Sequence, residues 1–169
     1  MNIPPALDQF CTWLQRTDFS VAIQSHAWVV PAVQSVHILS IGAVTISALI
    51  ISLRLFGGGY LDGSPYDVSC TFLRVIWLAL PVLLVSGVLM IVAEPARSLE
   101  NPVFFLKMGL LLVATASTLG FQWPLGKDPG FWDTSTRRRV LGKLWTLASL
   151  ALWTAIIFAG RWIAYIDAL

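Results

Sequence analysis

Charge is what this sequence has least of. Only 12% of its 169 residues are Asp, Glu, Lys or Arg, about half the share of a water-soluble domain, whereas 57% are hydrophobic. Water is therefore not its main solvent. The net charge of +2 is too small to argue for nucleic acid, and the one basic cluster, Arg137 to Arg139, adjoins an apolar run instead of forming a stripe. With two histidines and two cysteines there is no zinc-type Cys/His pair spacing. The Gly57-Gly58-Gly59 run lacks both the Lys-Ser/Thr ending and the preceding strand of a phosphate loop, and no nucleophile elbow occurs. Soluble enzyme classes gain no support, and whether the chain is an enzyme at all stays open.

What is present is apolar length. The hydrophobic residues gather into runs near 20 residues, which as helices cover about 30 Å of hydrocarbon. Four such runs predict an all-α integral membrane protein, an antiparallel bundle of four transmembrane helices preceded by an N-terminal interfacial helix, with 1–169 forming a single membrane domain. The start MNIPPALDQF has no basic stretch, short apolar core or small-residue cleavage site, so the first span is expected to remain in the mature protein.

Between 7 and 25, Leu7, Phe10, Leu14 and Val21 recur at helical intervals among Asp8, Gln9, Gln15, Arg16 and Asp18, too polar to cross a bilayer; Asp18 is read as capping a second short turn. The spans are expected at about 28–53, 72–93, 102–123 and 144–165. Pro31 is tolerable near the first start, and Arg54 with Gly57-Gly58-Gly59 closes that span. Asp62-Gly63 and Ser64-Pro65 read as turns, Pro81 as a kink site, Glu94-Pro95 as a stop, and Asn101-Pro102 as a helix start. Trp13, Trp28, Trp145, Trp153, Trp162 and Tyr165 suit interfacial belts. Small residues four apart, Ala43 with Ser47 and Ala116 with Gly120, allow close helix packing.

Seven Lys and Arg (Arg54, Arg74, Lys127, Arg137, Arg138, Arg139, Lys143) fall on the side of the loops after the first and third spans, against four (Arg16, Arg97, Lys107, Arg161) on the other. The positive-inside bias then places both termini outside the cytoplasm of a bacterial inner membrane. Cys11 and Cys70 fall on opposite sides, and no bridge between them is expected.

Ionisable groups within membrane spans are costly, so the few present are the candidate site. His37, Glu94, Lys107 and Arg161 all approach one end of the predicted bundle, His37 deepest, with Lys107 and Arg161 near enough to the surface to snorkel. His37 is the candidate metal or haem ligand, since imidazole suits iron and copper, and it is equally a candidate hydrogen-bonding group for a quinone. The bland alternative is an interhelical histidine satisfied by a neighbouring hydroxyl. His26, 11 positions earlier, lies about 16 Å away on an unbroken helix, so one haem b cannot take both histidines. Iron would need His37 with Met108 or Met90, or a second copy of the chain. Glu94 and Arg161, joined by Lys107, are expected to form either a structural clasp or a site for an anionic headgroup.

Ser25, Trp28, Pro31, His37 and Gly42, then Arg54-Leu55-Phe56-Gly57, Glu94, Asn101-Pro102 and Lys107, and finally Gly160-Arg161-Trp162-Ile163-Ala164-Tyr165 form a pattern. It resembles a family of small bacterial inner-membrane proteins known only as a domain of unknown function, from about Leu14 to Tyr165. Such sequences often carry an acidic residue where this chain has Gln34, and an Asp where it has Ser52. More remotely the layout is similar to copper-resistance membrane proteins and membrane b-type cytochromes, and it is that analogy which adds weight to a metal. The resulting expectation is an electron-transfer or metal-, haem- or quinone-associated membrane subunit centred on His37, with Lys107, Arg161, Glu94 and Met108 around the cofactor. The alternatives are a noncatalytic anchor or assembly subunit of a homo-oligomer or larger membrane complex, and, more weakly, a proton or small-solute carrier.

Overall fold

The computed structural model describes residues 5–57 and 64–166, the last four as backbone only. Seven helices occur among them and no strand: α1 (Pro5–Gln15), α2 (Asp18–Ser25), α3 (Val29–Leu55), α4 (Pro65–Ala93), α5 (Pro95–Leu99), α6 (Pro102–Leu125) and α7 (Thr136–Ile166). Four of them, α3, α4, α6 and α7, are long and apolar enough to cross a membrane.

The caps explain where these helices begin and end. Asn101 accepts from the Val103 amide at 3.0 Å, with Pro102 in the first helical position, as its sequence predicts. The Ser64-Pro65 pair is a helix start and not a free turn: Ser64 accepts from the Asp67 amide at 3.1 Å and its hydroxyl donates to the Asp67 carboxylate at 2.6 Å, so α4 begins seven residues before the expected 72. The fourth span likewise begins at Thr136, eight residues before 144, because Ser135 accepts from the Arg138 amide; Arg137 to Arg139 are its first turn, not a connecting loop. Thr17, one residue before Asp18, caps α2. Gly57 closes α3 with φ +97° while its amide donates to the Arg54 carbonyl, a left-handed stop that side-chain-bearing residues resist. Pro81 stands inside α4 without ending it, and α6 continues through Pro124 to Leu125. Asp62-Gly63 and the glycines at 58 and 59 lie outside the described residues.

Helix α3 packs along α4, α6 along α7, and α3 along α7, whereas α4 meets α6 sparsely; α3 and α6 are thus the diagonal pair of a four-helix bundle. The shared core is Val44, Ile51, Ile76, Leu83, Ala114, Phe121, Trp153 and Ile156, among others. Trp153 is therefore core and not a belt residue, 2% exposed. Trp13, Trp28 and Trp162 are exposed as belt residues would be, and the Tyr165 side chain lies outside the description. Outward faces carry Leu39, Leu78, Leu84, Leu112 and Phe158, each about two-thirds exposed or more. Such continuous apolar surface is suited to hydrocarbon.

The two ends of the bundle are closed differently. At one end Trp132 folds back from the α6–α7 connection, stacked on Phe121 with centroids 5.3 Å apart, and cations lie over aromatic rings nearby, Arg138 over Phe131 and Lys143 over Phe56. At the other end α1, α2 and α5 form a polar collar. Ser20 donates to the Val92 carbonyl at 2.7 Å and Gln24 to the Ala93 carbonyl at 2.9 Å. These side chains satisfy carbonyls that the last turn of α4 leaves without helical partners. Cys11 is buried in this collar, while Cys70 lies near the opposite end of α4; both are free thiols.

Candidate functional site

Counting along the helices brings four positions to one level at the collar end. His37 is about 12 Å in from the start of α3, Ser86 about 10 Å from the end of α4, Lys107 about 8 Å into α6, and Gly160 about 9 Å from the end of α7, at 1.5 Å per residue. Each helix of the bundle therefore contributes one residue at this level, three of them polar.

Within that layer His37 is half-buried and its Nδ1 meets the Ser86 hydroxyl at 2.8 Å, across the α3–α4 seam. Ser86 itself is 4% exposed and donates back to the Val82 carbonyl at 2.6 Å. Gly87, next in α4, lies against the ring: a Cβ there would stand 3.6 Å from His37 Cε1, an ordinary contact. From the diagonally opposite helix, α6, Lys107 lays its ammonium against α7 at Gly160, where a Cβ would stand 3.4 Å from Nζ. The chain thus sets an oriented imidazole and a cation at one depth on diagonally opposite helices, and Nε2 has no hydrogen-bond partner among the described residues.

The remaining predicted site residues lie near this layer. Glu94 caps the end of α4 and pairs with Arg97, three residues on, at 2.8 Å, both about half-exposed. Among the described residues the Glu94 ion pair is thus a local one, to Arg97. Arg161 is exposed on α7, beside Gly160. Met108 is half-buried on α6, the helix diagonal to His37, and Met90 is half-buried on α4. His26 is the C-cap of α2, its Nδ1 bonded locally to Ser25 and Ala22, so a break in the helix separates it from His37. Among the described residues no group of three or more His, Cys, Asp or Glu is placed to hold a metal ion.

Sequence reasoning missed Ser86, a serine unremarkable within an apolar run, and two polar links across the bundle. Trp77 donates to Gln122 at 2.5 Å, joining α4 to α6 where they otherwise barely meet, and Ser52 donates to the Thr146 carbonyl at 3.2 Å, joining α3 to α7. A recess of about 20 Å³ among Ala48, Leu73, Thr118, Phe121 and Thr146 lies near these links. It is the size of one water molecule, lies more than about 15 Å along α3 from His37, and is too small for a cofactor.

Compared with known proteins, residues 14–166 match a family model described as a family of unknown function, DUF6644. That stretch is nearly the one over which the resemblance was read. No curated protein and no solved structure matches, so the remote likeness to copper-resistance proteins and b-type cytochromes gains no support.

Proposed function

Because the chain belongs to this family of unknown function, its membership delimits the unit and leaves the activity open, and we propose that the protein is a multi-pass subunit of the bacterial inner membrane that binds a quinone-type ligand at the His37–Lys107 layer, in an electron-transfer role. The observation that carries this reading is the oriented pair: an imidazole held through Nδ1 by Ser86, with Nε2 turned to other use, and an ammonium on the diagonal helix. A compact ligand whose oxygens both donate and accept, carried on an apolar tail, matches that pair and arrives through lipid. The sparse contact between α4 and α6 supports access from the side, between the collar and the Trp77–Gln122 bond.

The same pair argues against copper or another bare cation on His37. A second positive charge would face Lys107 in a layer of low dielectric, and His37 has no cluster of partner ligands among the described residues. Haem keeps its propionates as partners for Lys107 and Arg161, but needs a second axial ligand from a second copy or another subunit. Both termini lie outside the cytoplasm on the positive-inside count, which puts the layer in the outer leaflet.

A second reading, an anchoring or assembly subunit, draws on α6, of whose most apolar stretch only 11% is buried, leaving a broad face for another membrane protein. The deciding experiment is an absorption spectrum, metal analysis and solvent extraction of detergent-purified protein beside His37→Ala. Stoichiometric quinone lost in the variant supports the proposal. A Soret band or copper lost in the variant redirects it to those cofactors, and two colourless, quinone-free preparations favour the anchor.

A further inference from the structure

Ser86 decides more than the position of His37. Its Oγ lies 2.6 Å from the Val82 carbonyl, 3.2 Å from that of Leu83, and 2.8 Å from His37 Nδ1. A hydroxyl has one proton to give, and two oxygens 2.6 Å apart attract only with a hydrogen between them. The carbonyl has none, so the serine's proton points to Val82. Its lone pairs then face His37, and the 2.8 Å contact is attractive only when Nδ1 carries the ring hydrogen. Assigned from this network, the neutral imidazole keeps its other nitrogen, Nε2, as a bare acceptor. The opposite tautomer would draw the serine's proton onto Nδ1 and leave two oxygens in repulsive contact.

Resting on the quinone reading above, we infer that the site discriminates by redox state, holding the hydroxyl-bearing quinol in preference to the quinone. A quinol oxygen donates its O–H to Nε2 and meets that acceptor. A quinone carbonyl sets lone pair against lone pair there. Within an apolar layer an unmet acceptor lowers affinity by about tenfold or more. Binding alone is concerned, and no electron is transferred in it.

The test is an anaerobic calorimetric titration of the detergent-purified full chain with a decyl-substituted benzoquinone and, separately, its two-electron-reduced quinol. The expected result is a quinol Kd at least about tenfold below that of the quinone. In Ser86→Ala the ring is free to move its proton to Nε2, and the ratio is expected to fall to within about threefold of unity, while quinol still binds. Equal affinities in the unaltered protein, or a preference that Ser86→Ala leaves intact, overturns this inference and leaves the quinone reading standing. Binding of neither form overturns both. The ratio in the unaltered protein decides the matter even where Ser86→Ala does not fold.

Discussion

Adding one methyl group to Gly120 should measure how tightly α6 and α7 are fitted. A Cβ there would stand 2.9 Å from Trp145 Cζ2 and 3.4 Å from Cη2. The indole has little freedom to retreat: its Nε1 donates to the Ser117 carbonyl at 3.0 Å and its ring packs against Trp132. Overpacking of this kind costs about 1–3 kcal/mol. Gly109, on the same helix, has nothing within 4 Å of its virtual Cβ. Alanine at either position gains the same helix propensity, about 1 kcal/mol, so the difference between the two variants isolates the clash. At about 2–4 °C per kcal/mol for a chain of this size, Gly120→Ala should melt roughly 2–12 °C below Gly109→Ala. Thermal unfolding in detergent, followed with a thiol-reactive fluorophore in a Cys70→Ser background, reads this directly, since Cys11 is 2% exposed and becomes accessible only as the collar opens. A Gly120→Ala protein that melts with Gly109→Ala, or above it, would refute the packing argument.

Three further outcomes are expected. Burial pushes the Cys11 thiol above its ordinary range, and the carboxylates of Glu100 and Asp8 add to the effect; the unfolded chain therefore loses that proton first, so stability should fall as pH rises past the ordinary thiol pKa, and Glu100→Gln, which brings the folded thiol nearer its ordinary value, should make the fall smaller in melts taken from pH 7 to 10. Gln122→Leu leaves the Trp77 indole N–H without its acceptor in an apolar layer and should lower stability by about 1–3 kcal/mol, read in the same melting assay beside Gln122→Glu, which keeps an acceptor. If the positive-inside orientation holds, a cysteine placed at Thr134 should be shielded from a membrane-impermeant maleimide in intact cells, and one at Gln15 should be labelled; the reverse pattern would invert the topology.

Much of the architecture was legible because the membrane-length apolar runs obey a length rule that owes nothing to tertiary contacts, and Asn101-Pro102 carries its own cap. The span starts were less legible. Ser64-Pro65 has the composition of a turn as well as of a helix start, and only the Asp67 amide, reached once the helix forms, decides between them. Arg137 to Arg139 look like loop charge, yet arginine is a good helix former and Ser135 supplies the cap. Trp153 was misread as interfacial because tryptophan's amphipathic ring suits both a belt and a core, and the choice depends on which face of α7 meets its neighbours. In the site, His37 and Lys107 stood out as rare polar groups in apolar runs. Ser86 did not, since a serine inside a helix usually bonds its own backbone, and its second role exists only where α3 lies against α4. For Glu94 the sequence offers both Arg161 and Arg97, and the structure shows the pair to Arg97, one turn away.

The most direct test of the central claim is anaerobic photo-labelling with an azido-substituted benzoquinol, in membranes containing the full chain, followed by peptide mapping. The account predicts labels confined to segments around His37, Gly87 and Lys107, suppressed by excess unlabelled quinol and lost in His37→Leu. Labels spread along the outward apolar faces of all four long helices, indifferent to competitor and to His37, would contradict it.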